Sequence, residues 1–163
     1  VKASFAVTNA RAVGGQFIVG AQARPGLPYD GHTLQSQIAQ VERLTGTSVE
    51  RAYVDRGYRG HGLTTPQVYL SNTRGIASPT IKRELRRRSA VEPIIGHMKA
   101  DGKLERHWLK GANGDAINVV LVAAGHNIRL LLAWLKLLCA LIRAAILAAS
   151  QRTPITINRK AFT

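Results

Sequence analysis

Arg51-Ala-Tyr-Val-Asp-Arg-Gly-Tyr58 is the stretch on which the reading of this chain turns. Residues 49–54 form a short, apolar, β-prone run, and Gly57 closes it, so a buried strand is expected to carry Asp55 at its C-terminal end. In open α/β sheets that end is where active-site groups gather. A second dense block, Arg86-Arg-Arg-Ser-Ala-Val-Glu-Pro-Ile-Ile-Gly-His-Met-Lys99, sets Glu92 among cations. The chain has nine Asp and Glu against 23 Lys and Arg, so an acid kept inside a basic block calls for a reason. The plainer reasons are a turn aspartate in Asp-Arg-Gly and a surface ion pair of Glu92 with Arg88, four residues earlier.

Working outward, residues 2–8 and 16–23 read as antiparallel strands, with Gly14-Gly15 suited to a hairpin turn. Asp30 or Thr33 is placed to cap a helix whose Leu34, Ile38, Val41 and Leu44 recur at helical spacing until Gly46. Residues 67–70 read as a short last strand, and Ser78-Pro79 as the start of a basic helix. Pro93 disfavours helical geometry at Glu92 and lacks a donor, so a kink is expected there.

From about Gly114 the chain becomes apolar, and residues 130–149 approach the roughly 20 residues that a membrane span needs. Arg129, Lys136 and Arg143 recur every seven residues, which stacks them on one helical face. Each would cost on the order of 3 kcal/mol at a membrane centre. A packing helix with one wet edge, outside any membrane, is the preferred reading. The expected organisation is thus a domain over 1–114, a helical packing segment over 115–150 and a tail over 151–163.

The formal charge of +14 points to a polyanionic partner, with nucleic acid ahead of an anionic membrane face. The single cysteine, Cys139, excludes a disulfide framework and a Cys-based zinc site, and suits a reducing compartment. His32, His61, His97, His107 and His126 show no paired ligand spacing, so zinc is not expected. No charged-then-apolar leader opens the chain, and the strand-like start without Met suggests an internal piece.

Acids at a strand end and on a nearby helix, amid cations, suit metal-assisted phosphoryl transfer. Two divalent ions about 3.5 to 4 Å apart hold the nucleophile and the leaving oxygen of an in-line attack. Their repulsion at 4 Å, with an effective dielectric near 20, is roughly 17 kcal/mol, so several carboxylates must converge to hold both. Asp55 and Glu92 are two such groups, and Mg²⁺ favours oxygen ligands of this kind.

Four blocks carry a resemblance: Gly26-Leu-Pro-Tyr-Asp-Gly-His-Thr-Leu34, Tyr53-Val-Asp-Arg-Gly-Tyr-Arg-Gly-His61, Lys82 through Lys99, and Leu109-Lys-Gly-Ala-Asn-Gly-Asp-Ala-Ile-Asn118. Together, over residues 1–138, they resemble the C-terminal catalytic part of bacterial DDE transposases of the insertion-sequence-five branch. The resemblance implies an incomplete ribonuclease-H-like α/β fold, a mixed sheet with flanking helices, followed by the long apolar C-terminal helix. It makes Asp55 and Glu92 the second and third acidic metal ligands, for Mg²⁺ or Mn²⁺. Arg88 and Lys99 fall on the family's signature cations, expected with Arg86, Arg87 and His97 to contact DNA. Arg88, Glu92 and Lys99 would share one helical face. The signature's tyrosine is Leu85 here, which removes a phosphate-positioning hydroxyl. The family's first aspartate lies on a strand upstream of the hairpin, before this chain begins, and Asp30 is expected to cap a helix instead. The function so implied is DNA cleavage and strand transfer at insertion-sequence ends, by an oligomer in the bacterial cytoplasm and nucleoid. The alternative is a catalytically inactive, basic DNA-binding remnant of a truncated transposase.

Overall fold

Strand β1, Lys2–Val7, pairs antiparallel with β2, Ile18–Arg24, from Lys2 opposite Arg24 to Val7 opposite Ile18. The computed structural model describes all residues except Arg11, Val13, Arg74, Ile76, Ala77, His107 and 152–163. His107 and nearly all of the expected tail therefore lie outside the described residues. The connection between β1 and β2 is a longer loop rather than a two-residue hairpin. Gly14 and Gly15 both adopt positive φ within it, at 86° and 128°, as a tight reversal requires.

Helix α1, Asp30–Thr45, ends where Gly46 turns left-handed and donates its backbone N–H to the Glu42 carbonyl. Tyr29 occupies the N-cap without a side-chain capping bond, and Asp30 instead forms a 2.5 Å salt bridge with Lys2. The expected Asp30 cap is thereby corrected. Its charge still favours the positive N-terminal end of α1. Strands β3, Arg51–Val54, and β4, Gln67–Leu70, pair in parallel. The chain is a mixed α/β protein with small sheets, but the expected single mixed sheet is instead two separate two-stranded sheets. β1 and β3 both line one cleft and do not pair with each other.

Pro79 stands at the start of α2, Pro79–Arg87, where its missing donor is harmless. A 3₁₀ turn over Arg88–Ala90 then leads into α3, Val91–Ala100. The expected kink takes this form. Pro93 is the third residue of α3, and its ring would clash with the carbonyl four residues back, so α-helix cannot run unbroken from Arg87 through Pro93.

Helix α4 spans Gly111–Gln151. The chain divides into two compact units, Val1–Leu130 and Leu131–Thr163. In the first, Met98 of α3 is fully buried in a core with Ile18 of β2, Ile94 of α3 and Val122 and Ala123 of α4. Polar side chains on α4 complete this packing. Asn127 accepts from the Ile18 N–H through Oδ1 at 2.9 Å and donates through Nδ2 to the Ile18 carbonyl at 2.8 Å. Nε2 of buried His126 lies 3.1 Å from the Gln16 carbonyl. Asn127→Ala would strand the Ile18 backbone groups, and we expect it to lower unfolding free energy by about 1 to 3 kcal/mol in urea titration. In the second unit the leucines are exposed, Leu135, Leu138 and Leu141 each by half or more. By length and composition α4 is apolar enough to cross a membrane.

Candidate functional site

The parallel β3–β4 pair fixes the end of β3, and Asp55 follows it in extended geometry as the lead residue of a 3₁₀ turn, Arg56–Tyr58. Its side chain makes no capping bond there. Asp55 Oδ1 instead receives Arg88 Nη1 at 2.8 Å. Both plainer sequence readings are therefore set aside: Asp55 does not cap its turn through its side chain, and Arg88 pairs with Asp55 rather than with Glu92. Asp55 is 62 % exposed and Arg88 only 19 %, so the guanidinium is held by its surroundings while the carboxylate faces solvent.

Glu92 sits in the first turn of α3, one turn beyond Arg88, and is exposed, without an ion pair or hydrogen bond among the described residues. The Asp55–Arg88 contact thus ties the two acidic blocks together across 33 residues of sequence. Arg88 lies in the 3₁₀ turn rather than in α3, so the single helical face expected for Arg88, Glu92 and Lys99 is broken after its first member. Lys99 pairs with Glu105 at 2.8 Å, and that contact holds the Glu105 carboxyl below its ordinary range. His97 Nδ1 meets Asp101 at 3.0 Å, Arg87 donates to the Asn9 carbonyl at 3.5 Å, and Arg86 is exposed. Among the described residues, no group of three or more His, Cys, Asp or Glu could hold a metal ion.

A cluster missed in the sequence positions the Asp55–Arg88 pair. Glu84 of α2 accepts hydrogen bonds from the Tyr53 hydroxyl and, at 3.2 Å, from Arg51 Nε, which straps α2 to β3. Tyr53 also stacks on Tyr69 of β4, with centroids 5.3 Å apart. Burial, reinforced by the bond to Glu84, pushes the Tyr53 phenol up to about 12, and the same bond holds the Glu84 carboxyl down. Sequence alone did not single out Glu84, and only the spacing of tyrosines along β3 and β4 could have hinted at its partner.

The raised phenol pKa has a signed consequence. Because Tyr53 holds its proton more tightly folded than unfolded, its contribution to stability is complete below about pH 10 and is lost as pH rises towards about 12. In spectrophotometric titration one of the four tyrosines should ionise last, near pH 12, and Glu84→Gln should bring it down towards 10. A uniform titration near 10 in the wild type would contradict the Tyr53–Glu84 bond.

The geometry sets a strand-end aspartate, a half-buried arginine and an exposed helical glutamate in the company of a basic helix. Residues 65–132 match the family of transposase DDE domains. That match supports a DDE transposase. The matched segment holds Arg86, Arg87, Arg88, Glu92, His97 and Lys99, while Asp55 lies ahead of it. No curated protein and no solved structure matches the chain.

Proposed function

We propose that this chain is part of an insertion-sequence DDE transposase of the insertion-sequence-five branch, with a ribonuclease-H-like core. The Asp55–Arg88 contact carries the reading, because it joins the strand-end aspartate to the matched segment that contains Glu92. DNA is the partner, bound through Arg86, Arg87, Arg88, His97 and Lys99, and the complete enzyme acts as an oligomer in the bacterial cytoplasm, outside the membrane.

DDE transposase domains are divalent-metal dependent. Asp55 and Glu92 are hard oxygen donors of the right kind, and both are solvent-accessible. They would hold Mg²⁺ or Mn²⁺, which supplies activation of the attacking oxygen and neutralisation of phosphate charge. The chain's own contribution is to present these two carboxylates and to hold Arg88 where it can exchange Asp55 for a DNA phosphate. Two carboxylates are too few to offset the repulsion of two divalent ions, so a further acid must join them for cleavage.

A second reading, a DNA-binding remnant without catalysis, is favoured by the lack of a three-residue metal cluster among the described residues. Incubation with labelled element-end DNA and Mn²⁺ tests both. We expect the chain alone to bind duplex DNA without cleaving it, and to cleave when it is extended ahead of Val1 by an aspartate-bearing strand. Absence of DNA binding at low salt would sink both readings. Cleavage by the chain alone, lost in Asp55→Ala, would show that an acid already present completes the site.

A further inference from the structure

Trp108 is 85 % exposed, more than any other aromatic side chain among the described residues, and its ring meets no other ring there. An indole held open in this way leaves most of its apolar surface in water. The segment that carries it, 101–110, joins α3 to α4 and is fixed at both ends. On the α3 side the Asp101 N–H donates to the His97 carbonyl at 2.8 Å and the Leu104 N–H to the Met98 carbonyl at 3.1 Å, and Leu104 packs against the buried core. On the α4 side Leu109 lies against Gly114, where an added Cβ would come within 2.7 Å of the Leu109 backbone and 2.8 Å of its side chain. Trp108 therefore stands on a braced turn, and little ordering is left to be lost when the ring meets a partner.

The same segment sorts its charges. Asp101 and Glu105 are taken by His97 and Lys99, at 3.0 and 2.8 Å. Lys103, Arg106 and Lys110 are exposed and form no salt bridge among the described residues. Arg106 and Lys110 stand two residues to either side of Trp108, at most about 7 Å of chain away, so both long side chains can reach groups next to the indole.

A flat apolar ring between two free cations suits a ligand in which flat rings alternate with anions. A nucleic-acid strand is such a ligand. An apolar protein surface would instead have to bury three cations without partners, which is unfavourable. In a paired duplex the bases offer their edges to the grooves, and their faces are stacked on one another. A base face is open to an indole only where the strand is unpaired.

We propose that Trp108 stacks on an unpaired base of a bound DNA strand, while Arg106 and Lys110 take the phosphates on either side of that base. The inference rests on DNA as the partner and adds to it a preference for frayed ends, overhangs and single strands over closed duplex. The preference comes from the indole, because the cations take phosphates of either form. Every base has a π-face, so no particular base is selected.

The test uses the full chain with Trp134→Phe, which leaves Trp108 as the only tryptophan, since the chain has two. Its fluorescence is titrated with oligothymidylate of about 12 nucleotides and with a blunt duplex clamped by G·C pairs at both ends. Both probes should bind, as followed by the anisotropy of a label on the DNA, but only oligothymidylate should quench the indole. Trp108→Ala should weaken oligothymidylate binding about tenfold, the equivalent of one stacked base, and leave duplex binding within about twofold. Its salt slope should stay that of the parent, because a stacked ring releases no counterions. Trp108→Phe should restore most of the affinity and Trp108→Leu should not, since leucine keeps apolar area without a π-face. The urea midpoint should not move in any of the three, the side chain being exposed. Duplex binding without quenching by oligothymidylate, an equal loss on both probes, or rescue by leucine as good as by phenylalanine would overturn the inference and leave DNA standing as the partner. Failure to bind either probe at low salt would overturn both.

Discussion

Met98→Ala is expected to cost about 2 to 5 kcal/mol of unfolding free energy, a large part of the stability of a domain of this size. Met98 is 0 % exposed and contacts the core cluster shared by β2, α3 and α4. Its removal leaves a cavity that neighbours on three different elements cannot close together. The same helix carries Glu92 and Lys99, so the loss should reach the candidate site as well as the core. Urea or thermal denaturation measures it, and Met98→Leu, nearly volume-conserving, should cost less than about 1.5 kcal/mol. Equal effects of Ala and Leu would show that Met98 is not packed as described. Gly102 reports on the same contact from the other side: a Cβ there would lie 2.6 Å from the Met98 carbonyl oxygen and 2.8 Å from Val122, so Gly102→Ala should also destabilise.

The second large effect concerns DNA. If Arg88 and Lys99 each neutralise one phosphate, the Arg88→Ala, Lys99→Ala double variant should lose about 1.8 from the slope of log affinity against log salt. Between 50 and 200 mM salt it would then lose roughly tenfold less affinity than the wild type. Both cations are already engaged, Arg88 with Asp55 and Lys99 with Glu105, so DNA must exchange these partners. Partly exposed pairs of this kind contribute little in water, and exchange for a phosphate is therefore accessible. Removing either cation also leaves its acid, Asp55 or Glu105, as an uncompensated negative charge, so each single variant should weaken binding by itself. Unchanged affinity and slope in the double variant would reject these two residues as phosphate contacts. Glu105→Gln, which frees Lys99, should strengthen binding.

The amino-acid sequence by itself determined the order and type of the elements. Short β-prone runs marked β1 and β2, the Leu34, Ile38 and Val41 spacing with Gly46 marked α1, and Ser78-Pro79 marked the start of α2, because each rests on contacts within a few residues. It also singled out Asp55 as a strand-end acid and α4 as a long apolar helix. Three features were decided by tertiary structure. Arg88 pairs with Asp55 because the Tyr53–Glu84–Arg51 contacts draw α2 onto β3, and no local pattern records a contact between residues 33 positions apart. The break before α3 was visible as Pro93, but its form as a 3₁₀ turn depends on how α2 and α3 are each held. The division into two sheets with a lined cleft depends on which strand edges meet, and a strand's sequence specifies which face is apolar far better than which neighbour lies at its edge.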